Sequence, residues 1–153
     1  MERSSLWKVL LVIAGLHDSV IGAYHLVLPR QWNWATGLQN VPASLEWGVY
    51  TINFSWSVLI LTVAALVFYA AAQDPQASVF PRRVVFAVGS FWGLHGIYLW
   101  FHPVPVPDSL VWLRYALAAF PAVAVILHWL PLWLTRVSSK AGARQSNGTI
   151  VGA

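Results

Sequence analysis

The chain has no cysteine, and charged residues make up only 9% of its 153 residues. The first absence excludes disulfides, thiolate-ligated metals and cysteine nucleophiles, and leaves the redox compartment open. Any metal would need histidine, carboxylate or backbone ligands. The second excludes an ordinary soluble domain, in which about 25% of residues are charged. So little charge cannot solvate a globular surface, and most of the surface must face lipid. There is no G-x-S-x-G for nucleophilic hydrolysis and no Gly-rich phosphate loop. The net charge of +4 is scattered among apolar stretches and their ends, without a basic stripe, so nucleic acid is not a partner.

What is present is apolar: 58% of the residues, a mean hydropathy of +0.63 and ten tryptophans, a residue favoured at lipid headgroups. Four stretches, 6–28, 47–72, 84–101 and 110–134, approach or exceed the roughly 20 residues a helix needs to cross a bilayer. The expected fold is an all-α, four-transmembrane-helix bundle over 1–137. A disordered polar tail is expected over 138–153. The first stretch is too long for a signal-peptide core and is expected to be a retained span. Pro29 should end the first span, Gln73-Asp74-Pro75 the second, and Pro103, Pro105 and Pro107 the third.

Charge gives a direction. With the N-terminus inside, Arg3, Lys8, Arg82, Arg83, Arg136, Lys140 and Arg144 are cytoplasmic, and Arg30 and Arg114 are outside. That asymmetry predicts cytoplasmic termini, in a multi-pass protein of a bacterial inner (plasma) membrane. Trp7, Trp129 and Trp133 would then lie near the inner interface, and Trp56 and Trp92 between helices.

Each span has a small or polar face. On the first, Ala14, Gly15, Asp18, Gly22 and His25 share a stripe; on the second, Glu46, Tyr50, Asn53, Ser57 and Ala64 do. The third has a glycine seam, Gly89, Gly93 and Gly96, and a second stripe of His95, Tyr98 and His102. The fourth aligns Arg114, Ala118, Pro121, Val125 and His128. In lipid, small residues mark close approach of helices and polar ones mark the bundle interior.

Ionisable groups inside spans are costly and default to a functional hypothesis. Helix rise puts Asp18, His25, Glu46, Asn53, His95, His102 and Arg114 in the outer half. The candidate pocket is therefore Asp18, His25, Glu46, Tyr50, Asn53, His95, Tyr98, His102 and Arg114. His25, His95 and His102 are the candidate metal ligands, and haem, a metal or a quinone are the candidate cofactors. His17 reads as a packing or interface residue, and so does His128, placed too near the inner end to join the others. Arg114 needs a carboxylate partner, with Glu46 favoured, which leaves Asp18 beside His25 or His95.

The run Gly22-Ala23-Tyr24-His25-Leu26-Val27-Leu28-Pro29, followed by a Trp-containing loop, resembles the small four-helix bacterial membrane proteins grouped as DoxX-like, in which a Gly…His/Lys…Pro pattern closes the first helix. Glu46-Trp47-Gly48 departs from that family's Gly-Glu pair. The resemblance implies a redox accessory role and carries over His25 and Pro29.

Three functions follow as expectations. The first is binding a lipophilic molecule such as a quinone, or serving as accessory subunit of a membrane redox complex. The second is a membrane enzyme using acid–base or metal-dependent chemistry on a lipid. The third is a structural or assembly subunit with no ligand. The bilayer is a partner in each, with other membrane subunits or a second copy as further candidates.

Overall fold

The computed structural model describes residues 3–74, 78–103, 108 and 111–148, most of which are helical, with no strand among them. The long helices are α1 (Arg3–Gln31), α3 (Ala43–Ala72), α4 (Phe80–Phe101) and α5 (Val111–Gly148); α2 (Trp34–Gly37) is a single turn between α1 and α3. Four segments are long and apolar enough to cross a membrane: Ser5–Gln31, Ala43–Ala72, Phe80–Phe101 and Val111–Thr135. The protein is thus built as a multi-pass membrane bundle. Large apolar side chains such as Ile52, Leu94 and Trp100 cover its outside, as a surface bathed in hydrocarbon requires.

The helices exceed the apolar runs at several ends. α4 begins at Phe80, because Pro81 in its first turn gives up an N–H that has no intrahelical partner there. α1 continues through Pro29 to Gln31 rather than ending at the proline. The backbone of α5 stays helical over 138–148, where a disordered tail was expected. Ala141, Ala143, Arg144 and Gln145 are good helix formers, and extending a helix needs no new nucleus. Residues 149–153 lie outside the described residues.

The four long helices stand at the corners of a square. α1 lies beside α3 and α5, and α4 beside α5 and α3, so α1 faces α4 and α3 faces α5 across the diagonals. Small residues set these contacts. Gly15 of α1 lies against Phe68 of α3, and Gly22 against Leu61. The α4 seam meets α5, Gly89 at Trp129 and His128, Gly93 at Val125 and Gly96 at Pro121. Trp7 is 1% exposed, and its Nε1 donates to the Ala70 carbonyl at 3.3 Å, tying the start of α1 to the end of α3.

Between α1 and α3 the chain turns tightly. Asn33 takes the left-handed conformation (φ 48°) just before α2, a region asparagine tolerates better than most residues. Trp32 Nε1 donates to the Tyr24 hydroxyl at 3.3 Å, and the Trp34 and Tyr50 rings meet edge to face at 5.7 Å. Tyr50 thus faces this loop and not the bundle centre.

Candidate functional site

Polar side chains collect at two levels inside the square. The first is near the middle of the bundle. Asp18 of α1 is fully buried, and so is His128 of α5, whose Nε2 lies 3.3 Å from Asp18 Oδ2. The two atoms are in ion-pair range without the alignment of a hydrogen bond, and neither has another partner. The other carboxylate oxygen, Oδ1, lies 3.3 Å from Nδ1 of His17. The His17 ring contacts Trp92 of α4 and Phe120 of α5, each with centroids 5.9 Å apart. His17 Nε2 and Trp92 Nε1 are also buried without a hydrogen-bond partner. Three helices therefore bring polar atoms with unmet hydrogen bonds to one place, an unusual and costly concentration.

The second level lies seven residues further along α1, about 10 Å toward the α2 end of the bundle. Here Asn53 of α3 and His25 of α1 bond reciprocally. Asn53 Nδ2 donates to the His25 carbonyl at 2.8 Å, and Asn53 Oδ1 lies 3.2 Å from His25 Nδ1. The reason is in the backbone. Pro29 has no N–H to give to the carbonyl four residues before it, which is that of His25. Asn53 supplies the missing donor. A carbonyl only accepts, so the amide nitrogen must face it. The amide oxygen then faces Nδ1, which carries the proton of the neutral ring. His25 Nε2 is left as the ring's acceptor. Trp56 lies against both histidines of this level, 6.5 Å from His25 and 5.3 Å from His95. Trp92, at 5.8 Å from His95, connects the two levels.

The nine expected pocket residues do not form one constellation. His25, Asn53 and His95 gather around Trp56. Asp18 stands apart from them, with His17 and His128. Depth misled the sequence argument. The Asp18–His128 contact sets position 18 of α1 level with position 128 of α5, seven residues before the end of the Val111–Thr135 segment. The stripe on α5 containing His128 was the correct face; only its level was misjudged.

The other expected members fall away. Tyr98 is 59% exposed, and its ring packs on that of exposed His102 at 4.9 Å, on the outside of the bundle. Glu46 and Arg114 are half-buried and form no ion pair with each other or with Asp18. Their helices, α3 and α5, stand on a diagonal of the square, and their backbones do not approach closely. Arg114 is also 14 residues from His128, about 21 Å along α5, which puts Asp18 out of reach. Arg114 Nε is buried without a hydrogen-bond partner. Of the three candidate metal ligands, His102 is separated from the others, and no three His, Asp or Glu side chains converge to hold a metal among the described residues.

The class is thus a four-helix multi-pass membrane bundle with a buried Asp–His centre and a second His–Asn level above it. Comparison with family models, with curated proteins and with solved structures gives no match.

Proposed function

We propose that the protein binds a lipophilic molecule with a hydrogen-bonding head, a quinone or quinol, at the His25 level. The observation that carries this reading is the His25–Asn53 pair. By holding the Nδ1 proton, Asn53 leaves Nε2 as a fixed acceptor for a hydroxyl such as that of a quinol. The Trp56 and Phe91 rings, 5.5 Å apart, offer the flat apolar company a quinone ring takes. His95 on α4 supplies a second imidazole nearby. On this reading both termini are cytoplasmic, the His25 level faces the outer half of a bacterial inner membrane, and the protein serves a membrane redox complex. The Gly22…His25…Pro29 likeness to DoxX-like proteins agrees with such a role.

The test is titration of the purified protein with ubiquinone and menaquinone analogues, read as tryptophan fluorescence. Saturable quenching is expected. It should lose most of its amplitude in Trp56→Phe and weaken at least tenfold in His25→Phe. An unsaturable, variant-independent response rejects quinone binding. The same Asn53 bonds also join α1 to α3, and that observation supports the alternative of a ligand-free assembly subunit. That alternative predicts that Asn53→Leu loosens the bundle while no quinone analogue changes its thermal stability.

A further inference from the structure

We infer that Asp18 and His128 together bind one proton at the centre of the bundle, and that this proton joins α1 to α5. The inference does not depend on the quinone reading, which concerns the other level.

The argument runs through the ring of His128. Its Nδ1 lies 2.7 Å from the carbonyl oxygen of Ala124, one turn back on α5. A carbonyl oxygen has only lone pairs, so Nδ1 must carry a proton and donate. A neutral imidazole has one N–H, and this bond takes it. The remaining nitrogen, Nε2, then turns a bare lone pair toward Asp18 Oδ2 at 3.3 Å. An ionised carboxylate oxygen also has only lone pairs. Two unprotonated acceptors would face each other in the most buried part of the protein, with both side chains at 0% exposure. A full negative charge would also be held deep among apolar helices.

One additional proton resolves both conflicts. Placed on Nε2 it gives an imidazolium against a carboxylate; placed on Oδ2 it gives a neutral acid against a neutral imidazole. The two forms are isomers with the same proton count, and either way the pair is neutral. A second added proton would leave an imidazolium facing a neutral acid, with a net charge and two hydrogens competing for the same gap.

The surroundings leave this proton to the pair. His17 of α1 is at the other carboxylate oxygen, Oδ1, and does not approach Oδ2 through any contact observed. α4 brings Trp92, which does not titrate, with His95 a turn beyond it. The titratable groups of α3 are Glu46 and Tyr50 near its start and Tyr69 near its end, away from the middle. Arg114 and Tyr115, the other titratable groups of the α5 membrane span, are about 20 Å along the helix from His128.

The test uses the full chain in lipid bilayers with ¹⁵N-labelled histidine, together with infrared spectra. Nitrogen chemical shifts report which nitrogens of His128 carry hydrogen, with the signal assigned by its loss in His128→Gln. The carbonyl stretch of a neutral carboxylic acid, assigned by its loss in Asp18→Asn, reports the acid. Two results support the inference. One is a neutral His128 protonated at Nδ1 together with the acid band; the other is a doubly protonated His128 without it. Any other combination overturns it, whether Nδ1–H alone beside a carboxylate, a neutral ring protonated at Nε2, or an imidazolium beside the acid. Sequential assignment of the labelled wild-type chain identifies the His128 nitrogens and the Asp18 carboxyl carbon without any variant, and the shift of that carbon separates acid from carboxylate, so the outcome is decided even where neither variant folds. Where Asp18→Asn does fold, its amide can donate to Nε2 directly, so His128 should become neutral with hydrogen on Nδ1. An imidazolium persisting in that variant would mean the proton is not tied to the carboxylate, and the inference fails.

Discussion

Gly89 of α4 lies against the indole of Trp129 on α5, so closely that a Cβ at this position would overlap the ring. The same indole stacks on Phe86 of α4, 6.1 Å away and nearly parallel, so it cannot swing aside freely. Gly89→Ala should therefore lower stability by about 1–3 kcal/mol, the usual cost of overpacking. Gly93→Ala should be nearly neutral, since its Cβ would meet Val125 at an ordinary 3.7 Å. Thermal unfolding in detergent separates the two. Equal losses at both positions would show that the seam is tight along its whole length.

The α1–α3 contact gives a second graded pair. A Cβ at Gly15 would reach the edge of the Phe68 ring at 2.7 Å, and one at Gly22 would press on Leu61, including its backbone nitrogen at 3.2 Å. A ring can tilt away, while a helix backbone must be displaced. Gly22→Ala should cost more stability than Gly15→Ala, and Phe68→Leu should recover much of the Gly15→Ala loss. The opposite ranking would place the rigid side of the contact at Phe68.

Glu46 and Arg114 stand on diagonal helices and form no ion pair with each other. Glu46→Gln and Arg114→Met should accordingly be additive in stability, within the roughly 0.3–0.5 kcal/mol found for independent sites. A double variant that recovers stability would reveal a charge pair between α3 and α5 and would contradict the square arrangement.

The proposed membrane direction rests on the basic residues, seven of nine of which it puts on one side. Reporter fusions at the C-terminus should read as cytoplasmic, and fusions after Gln39 as external. An external C-terminus would invert the assignment of the His25 level to the outer half of the bilayer.

The fold was legible because its signal is long and redundant. Four apolar runs and their breakers define the spans, and the stripes of glycine and polar residues identified the faces that meet. Gly15, Gly22 and the α4 seam all lie where those stripes put them. The centre was less legible because it depends on depth and on which helices are neighbours. A stripe fixes an angle around a helix but not a level relative to another helix. His128 was excluded by level, and Glu46 was joined to Arg114 by level, although the square keeps their helices apart. One local signal was available and decisive: a proline one turn after a histidine frees that histidine's carbonyl, and Asn53 is the side chain that answers it.

The arrangement of the corners has a bearing on how the protein is made. A ribosome delivers α1 well before α5, yet these two helices supply Asp18 and His128. Until α5 enters the bilayer, the Asp18 carboxyl group has, among the described residues, only the neighbouring His17 to answer it. Early release of the first span into lipid would strand an acid there, so retention beside the insertion machinery favours a complete chain. Any truncation before α5 leaves the Asp18 carboxyl group without His128. The carboxyl group at the centre therefore ties the settling of α1 in lipid to the arrival of α5.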